Sequence, residues 1–253
     1  MFKNAIVRKP GHSMVKGLTE AKLGKPDFAL AIEQHQDYIA ALQECGLQVT
    51  VLEALEAYPD SCFVEDAALF TPKGAILTRP GALSRRGEVQ HITSAIHQFY
   101  PNPDAIIAPD HIEAGDIMMV GSHFYIGLSA RTNRHGAEQM IGLLAKQGLS
   151  GSVVKMSELL HLKTGLSYLE NNNLLTFGEM HSHPDFSDFN RIEISPEEDY
   201  AANSVWINGT VLVAKGFPKA LAAIQALGYA TREVAMSEFQ KLDGGLSCLS
   251  LRF

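Results

Sequence analysis

Charge, cysteine and long apolar runs are all scarce in this chain. Only 19% of its 253 residues are charged, three are cysteine and one is tryptophan. Cys45, Cys62 and Cys248 are odd in number and lack paired spacing, so a disulfide framework is not indicated. Free thiols in a reducing, cytoplasmic setting are the default expectation. No apolar stretch approaches the ~20 residues needed to cross a bilayer, and Met1-Phe2-Lys3-Asn4 opens no secretory leader. Positive charge is not in excess either. A formal net charge of −7 and a pI of about 5.8 argue against nucleic acid or an anionic membrane as partner and fit a small cationic substrate. A glycine-rich phosphate loop is missing too, so no nucleotide cofactor is expected.

What is present is material for a core, with 46% hydrophobic residues, and a repeating pattern. Asn4–Arg8 reads as a strand. The Gly- and Pro-marked loop from Pro10 to Pro26 follows, long enough to be a mobile flap carrying Leu18. Asp27 caps a helix through Cys45 that Gly46 stops, with Phe28, Ile32, Tyr38, Ile39 and Leu42 near helical spacing, and Gln48–Leu52 is the next strand. From there a unit of hairpin, helix and strand recurs over roughly 50 residues. Glu65-Asp66 precedes strands 67–70 and 75–78, helix 87–99 and strand 105–108. Glu113-Ala114-Gly115-Asp116 precedes strands 117–120 and 123–127, helix 135–147 and strand 152–156. Ala202-Asn203 precedes strands 204–207 and 210–214, joined by an Asn-Gly hairpin turn, then helix 218–227 and strand 231–234. This turn accounts for Asn208-Gly209-Thr210, which also matches a glycosylation acceptor. A looser copy without a helix spans 170–173, 174–177 and 192–194.

Four such units leave an N-terminal strand, helix and strand without a hairpin. The C-terminal run Gly244-Gly245-Leu246-Ser247-Cys248-Leu249-Ser250-Leu251 reads as the strand that completes it, with Cys248 just inside. Five units closing in a ring, in one domain over 1–253, follow from this arithmetic, because closure hides sheet edges. A doubly wound sheet is the alternative. Hairpins stand where its long crossovers should be.

In a ring the polar residues at unit starts converge on one axis: Glu65 and Asp66, Glu113 and Asp116, His161 with Asn171–Asn173, Asn203, and Cys248. Each alone reads as a solvated turn or a core cysteine. Together they are a thiol, an imidazole and several carboxylates at one structural position. Arginines recur just after each second strand, in Arg79–Gly87 and in Leu128–Asn133. Guanidinium groups clamp carboxylates in a planar, two-pronged geometry. Carboxylates for a cation, arginines for an anion and a thiol between them suit a zwitterionic amino acid with a cationic side chain, such as an arginine derivative. A thiolate attacks a guanidinium carbon that carboxylates hold and polarise, and an imidazole protonates the departing amine and then activates water. A metal site is the rival for Cys, His and Glu, but Cys248 and His161 lack the short paired spacing of structural zinc sites. His181-Ser182-His183 reads as a surface loop.

Cys62-Phe63-Val64-Glu65-Asp66, Arg79-Pro80-Gly81, Glu113-Ala114-Gly115-Asp116, Ser129-Ala130-Arg131-Thr132-Asn133, His161-Leu162-Lys163-Thr164-Gly165 and the Cys248 tail resemble the dimethylarginine dimethylaminohydrolases of the guanidine-modifying (pentein) superfamily, in the same order along essentially the whole chain. The resemblance implies a five-bladed α/β propeller that hydrolyses Nω-methylated arginine to citrulline and an amine, without metal or cofactor. It implies Cys248 as nucleophile, His161 as general acid and base, and Glu113 as the partner orienting the ring. Glu65 and Asp66 would hold the guanidinium, and Arg85 and Arg131 the α-carboxylate. Asp60 and the Leu18 backbone would meet the α-amino group, with Phe63 and the Leu242 backbone lining the pocket. Enzymes acting on arginine, agmatine or citrulline, and a non-catalytic binding propeller, are the competing readings. A homodimer through an apolar outer face is compatible with any of them.

Overall fold

The computed structural model describes residues 1–253 as five three-stranded sheets. In chain order, β1 (Asn4–Arg8), α1 (Phe28–Glu44) and β2 (Gln48–Leu52) open the fold. The second unit is β3 (Ala68–Thr71), β4 (Gly74–Leu77), α2 (Glu88–His97) and β5 (Asp104–Ala105). The third is β6 (Ile117–Val120), β7 (His123–Leu128), α3 (Arg134–Lys146) and β8 (Ser150–Lys155). The fourth holds β9 (Leu166–Tyr168), β10 (Asn173–Thr176) and β11 (Asn190–Glu193) without an α-helix, short 3-10 turns taking its place. The fifth is β12 (Val205–Ile207), β13 (Thr210–Ala214), α4 (Pro218–Ala226) and β14 (Ala230–Val234), followed by α5 (Ser237–Gln240) and β15 (Leu251–Arg252).

Every sheet has one pattern: an antiparallel pair, then a third strand parallel to the second. In the first unit the antiparallel partner of β1 is β15, paired Ala5 to Arg252 and Ile6 to Leu251, while β2 runs parallel to β1. The two ends of the chain therefore share one sheet. The apolar cores lie mostly between units rather than within them. One joins Ala5 and Val7 of β1 to Val205, Leu212 and Ala214 of the fifth unit. Another joins Ile6 and Leu251 to Phe70, Ala75 and Ile92 of the second. The ring is closed by this packing.

Local chemistry explains the elements. The Asp27 side chain accepts hydrogen bonds from the Ala29 and Leu30 amides and so starts α1. Gly46, at φ +86°, takes the left-handed conformation that ends it. The buried face of α1 includes polar Gln34 and His35 beside Ala31, Tyr38, Ala41 and Leu42, so it is rotated from the apolar stripe expected from sequence. Gln34 accounts for the rotation: it donates to Ser237 Oγ and accepts from the Glu238 amide, fastening α5. The Tyr38 hydroxyl, fully buried, donates to the Leu246 carbonyl at 2.8 Å and meets Ser250 Oγ at 2.6 Å. That anchors the segment that carries Cys248.

Two expectations need correction. Asn171 and Asn172 do not stand at a unit start. They form the β9–β10 turn with Glu170, all three at positive φ, a conformation asparagine tolerates better than most residues. Cys248 is not in a strand but in a 3-10 turn, Ser247–Leu249, just ahead of β15. The second correction exposes a regularity that the strand pattern concealed. A 3-10 turn precedes the first strand of each unit: Val64–Ala67, Ala114–Asp116, Leu162–Thr164, Pro196–Ala202 and Ser247–Leu249.

Closure predicts a measurable cost when it is weakened. Phe253 stacks on Phe70 at 4.2 Å and meets Phe99 edge-on at 4.8 Å. Phe253→Ala is expected to lower stability by about 2 kcal/mol, below the ~3–5 kcal/mol of a fully buried phenylalanine because its ring is only half-buried. Unchanged denaturation midpoints would show that the aromatic cluster does not hold the ring shut.

Candidate active site

The five turns put three carboxylates on the axis. Asp66 is 3% exposed, and Glu113 and Asp116 are 0%. Charges so removed from water must be compensated by donors or cations, and each is. Asp66 accepts the Gly115 amide at 3.0 Å and pairs with Arg85 Nη1 at 2.6 Å. Burial would push its carboxyl up, but Arg85 and His161 override that and hold it below the usual range. Asp116 accepts the Ser129 hydroxyl at 2.7 Å and the Leu162 amide at 2.9 Å, and burial pushes its carboxyl up. Through Leu162 it fixes the backbone next to His161. Glu113 accepts the Gly81 and Ala82 amides at Oε1, at 3.0 and 3.4 Å, and its Oε2 lies 2.7 Å from His161 Nε2.

That contact leaves His161 Nδ1 on the Gly115 side. A Cβ on Gly115 would stand 2.9 Å from both Asp66 Oδ1 and His161 Nδ1, so only a glycine lets the carboxylate and the imidazole come this close. Burial alone would lower the His161 pKa. Asp116, Asp66 and Glu113 outweigh it and raise it to about 9, making the ring a cation at neutral pH. Cys248 Sγ accepts the Gly245 amide at 3.4 Å. Burial, then the charges of Glu65 and Asp66, push its thiol up to about 12. The resting pair is therefore a neutral thiol and an imidazolium.

The Gly244-Gly245 pair serves close approach. A Cβ would sit 2.1 Å from Phe63 Cε1 at Gly244 and 2.5 Å from Asn203 Cγ at Gly245. The left-handed residue of this segment is Asp243, at φ +56°.

One cavity of about 190 Å³ gathers Cys248, His161, Glu113 and Asp66 with Asp60, Arg85, Arg131, Leu18, Phe63 and Leu242. Arg85 also donates to Glu88 and to the carbonyls of Asp60 and Phe63, which leaves one Nη1 proton over. Arg131 approaches only Glu113, at 3.8 Å. Asp60, whose carboxyl burial pushes up, accepts the Leu18 amide at 2.9 Å. The Glu20 amide donates to Asp243 at 2.7 Å, so the flap is tied down at two points. Glu65 is placed elsewhere. Its carboxylate takes Lys163 at 2.6 Å, the Ser247 hydroxyl at 2.8 Å and Arg252 at 3.2 Å, and it lines a separate cavity of about 160 Å³. Neighbours in a 3-10 turn point ~120° apart, so one of the acidic pair faces the thiol's cavity and the other does not. His181 and His183 are engaged apart from this centre, with Thr176 and with the Lys155 carbonyl. Asp66, Glu113 and His161 have ligand-type atoms within 4.8 Å of one another, but the protonated ring offers a metal no lone pair, so the two carboxylates are left to meet an organic cation.

This geometry can be set beside known proteins. The family of N,N-dimethylarginine dimethylhydrolases, eukaryotic, matches residues 21–161. The N(G),N(G)-dimethylarginine dimethylaminohydrolase of Pseudomonas aeruginosa is 57% identical over 254 residues, covering 100% of both chains. The chain belongs to the dimethylarginine dimethylaminohydrolase family. The Streptomyces coelicolor member is 32% identical, over 99% of this chain and 96% of that one. Among solved structures, a dimethylarginine dimethylaminohydrolase with a histidine replaced by glycine, an adduct with S-methyl-L-thiocitrulline, superposes with a TM-score of 0.99 at 57% identity over 100% of both chains. A cysteine-to-serine mutant of the P. aeruginosa enzyme complexed with citrulline does the same. The N-terminal domain of ArgZ, an arginine dihydrolase, shares the five-bladed α/β propeller at a TM-score of 0.86 and 19% identity, over 98% of this chain and 96% of that one.

Several supports of this dimethylarginine dimethylaminohydrolase-type site have no role assigned from the sequence, Asn203 among them although its place on the axis is expected. Glu88 buries a second carboxylate on Arg85. Thr132 Oγ1 accepts the Glu113 amide at 3.1 Å, and Asn203 grips Ser247 through both amide atoms. Lys163, Thr132 and Asn203 sit inside or next to segments already singled out, whereas nothing marked Glu88 apart from any first-turn acid of a helix.

The His161 shift carries a stability signature. Its folded pKa is raised, so its contribution is complete below about pH 6.5, the ordinary histidine value, and is lost as pH rises through about 9. Denaturant unfolding across pH 6–10 should show stability falling over that window, and His161→Gln should flatten the fall. An identical slope in the variant would mean the ring is not cationic at rest.

Proposed function

We propose that this chain hydrolyses asymmetric dimethylarginine and monomethylarginine to citrulline and the corresponding amine, with Cys248 forming a covalent thiouronium intermediate. One observation carries the proposal: a half-buried thiol, an imidazolium and an unusually acidic aspartate share a cavity with two arginines, in a chain 57% identical over its whole length to a dimethylarginine dimethylaminohydrolase.

Asp66 receives the substrate guanidinium. Arg131, with donors unengaged, and Arg85, with its spare Nη1 proton, take the α-carboxylate. Asp60 and the Leu18 backbone meet the α-amino group, while Phe63 and Leu242 enclose the aliphatic chain. Glu65 acts from behind, through Ser247, rather than by contact. The thiol is too weak an acid to react unaided at about 12. A guanidinium brought beside it supplies the positive charge that lowers a thiol pKa, so the substrate helps create its own nucleophile. The thiol proton passes to solvent, Sγ bonds to the guanidinium carbon, and the C–N bond to the methylated nitrogen breaks as His161 gives that nitrogen its proton. The imidazole, now neutral and still held by Glu113, takes a proton from water as oxygen bonds to the same carbon. The C–S bond then breaks, citrulline departs, and the second proton of the water restores the thiol.

The whole of 1–253 forms one catalytic domain in this reading. The three free cysteines suit a cytoplasmic setting, and no helix is long and apolar enough to cross a membrane.

Release of amine or ammonia from dimethylarginine, monomethylarginine, arginine and agmatine, with citrulline the co-product of the first three, is the direct assay. The methylated substrates should turn over fastest, and agmatine, which has no carboxylate for Arg131, slowest. Preference for unmethylated arginine would overturn the assignment. Cys248→Ser should release no citrulline while keeping the fold. Arg131→Ala should raise KM by about 100-fold, the ~2–3 kcal/mol of a charge-assisted contact, with kcat changed far less. Because attack needs the thiol, at about 12, deprotonated while His161, at about 9, keeps its proton, kcat/KM should rise with pH to about 9 and level off above it.

A further inference from the structure

A smaller chamber of about 40 Å³ adjoins the reactive pair. His161 and Cys248 line both it and the 190 Å³ substrate cavity. Its remaining walls are mostly polar, with Lys163, Thr164, Tyr200 and Asn203 among them. A buried water needs ~10–15 Å³ and two to four polar partners, so the chamber holds about two or three. The partners are present. Lys163 Nζ has three protons and gives one to Glu65, the Thr164 hydroxyl both donates and accepts, and the imidazole offers a ring nitrogen. The Tyr200 hydroxyl donates to the Gly244 carbonyl at 2.6 Å, which fixes that wall. Beyond Thr164, Tyr200 and Asp243 lies a third space of about 360 Å³, bordered also by Glu20, Glu158 and Asp199.

We propose that this chamber is the site of the hydrolytic water, filled from the space beyond Thr164. The inference rests on the activity proposed above and assigns its second half a place. While the amino-acid part of the intermediate still occupies the substrate cavity, water reaches the thiouronium carbon from the chamber. Its oxygen bonds to that carbon, one proton passes to the neutral His161, the C–S bond breaks, and the other proton returns to Cys248.

Thr164 is exposed and belongs to both spaces, so Thr164→Leu narrows the chamber from its outer side. Rapid-quench kinetics with dimethylarginine should show a burst of dimethylamine near one equivalent at close to the parent rate. Steady citrulline formation should then be about tenfold slower, with a thiouronium mass accumulating on Cys248, and Thr164→Ser should behave like the parent. Equal slowing of amine and citrulline, or an unslowed citrulline rate in a folded Thr164→Leu protein, overturns the proposal. Independently of whether that variant folds, an experimental structure of the parent at water-resolving resolution should show ordered water in the chamber within hydrogen-bond distance of His161, and its absence there overturns the proposal as well. A parent protein that releases neither amine nor citrulline overturns the activity itself, and with it this assignment, an outcome distinct from a burst that never slows.

Discussion

Negative charge buried on the axis is the constraint that shapes the rest. Asp66, Glu113 and Asp116 are almost wholly removed from solvent, and an uncompensated carboxylate there would cost about 3–5 kcal/mol, a large share of the ~5–15 kcal/mol margin of a typical fold. Every neighbouring choice answers that demand: backbone amides of Gly81, Ala82, Gly115 and Leu162, the hydroxyl of Ser129, and Arg85, itself balanced by Glu88. Histidine 161 is the only partner whose charge can be lent and returned. Asp116, Asp66 and Glu113 stabilise its proton; burial first, then Glu65 and the same Asp66, suppress ionisation of Cys248.

A resting site of this kind discriminates by charge before it discriminates by shape. Neutral amides that fit the cavity bring no cation to the thiol and leave it protonated. A guanidinium both fills the space and changes the acidity of the group that attacks it. In the proposed mode the arginines act at the other functional group, so a ligand is selected for being cationic and anionic at once.

Much of this was legible in the chain because the repeat is carried by short-range signals. The Asn208-Gly209 turn, the Asp27 cap and the Gly46 stop are local rules with local outcomes. From them five units and their convergence follow, and the five-sheet ring bears that out. What was not legible depends on side-chain direction and on contacts across the ring. The pair Glu65-Asp66 reads as one motif, yet a 3-10 turn sends the two carboxylates to different cavities. Cys248 reads as part of a strand because apolar residues flank it, and the turn that presents it is recognisable only beside its four counterparts. The glycines at 115, 244 and 245 carry no positive φ; their reason is the proximity of Asp66, His161, Phe63 and Asn203, residues distant in sequence.

The sheet shared by the two chain ends has a temporal side. During synthesis β1 emerges early, but its antiparallel neighbour, at Leu251 and Arg252, is among the last residues made. Until then one edge of β1 presents unpaired amides and carbonyls, the kind of surface on which strands from other chains can add. The nucleophile arrives with that same late segment. A partly made chain can thus assemble four blades around an axis that holds acids and an imidazole yet has no means of forming a bond to carbon, so catalytic competence and protection of the first strand's edge are acquired in a single docking event.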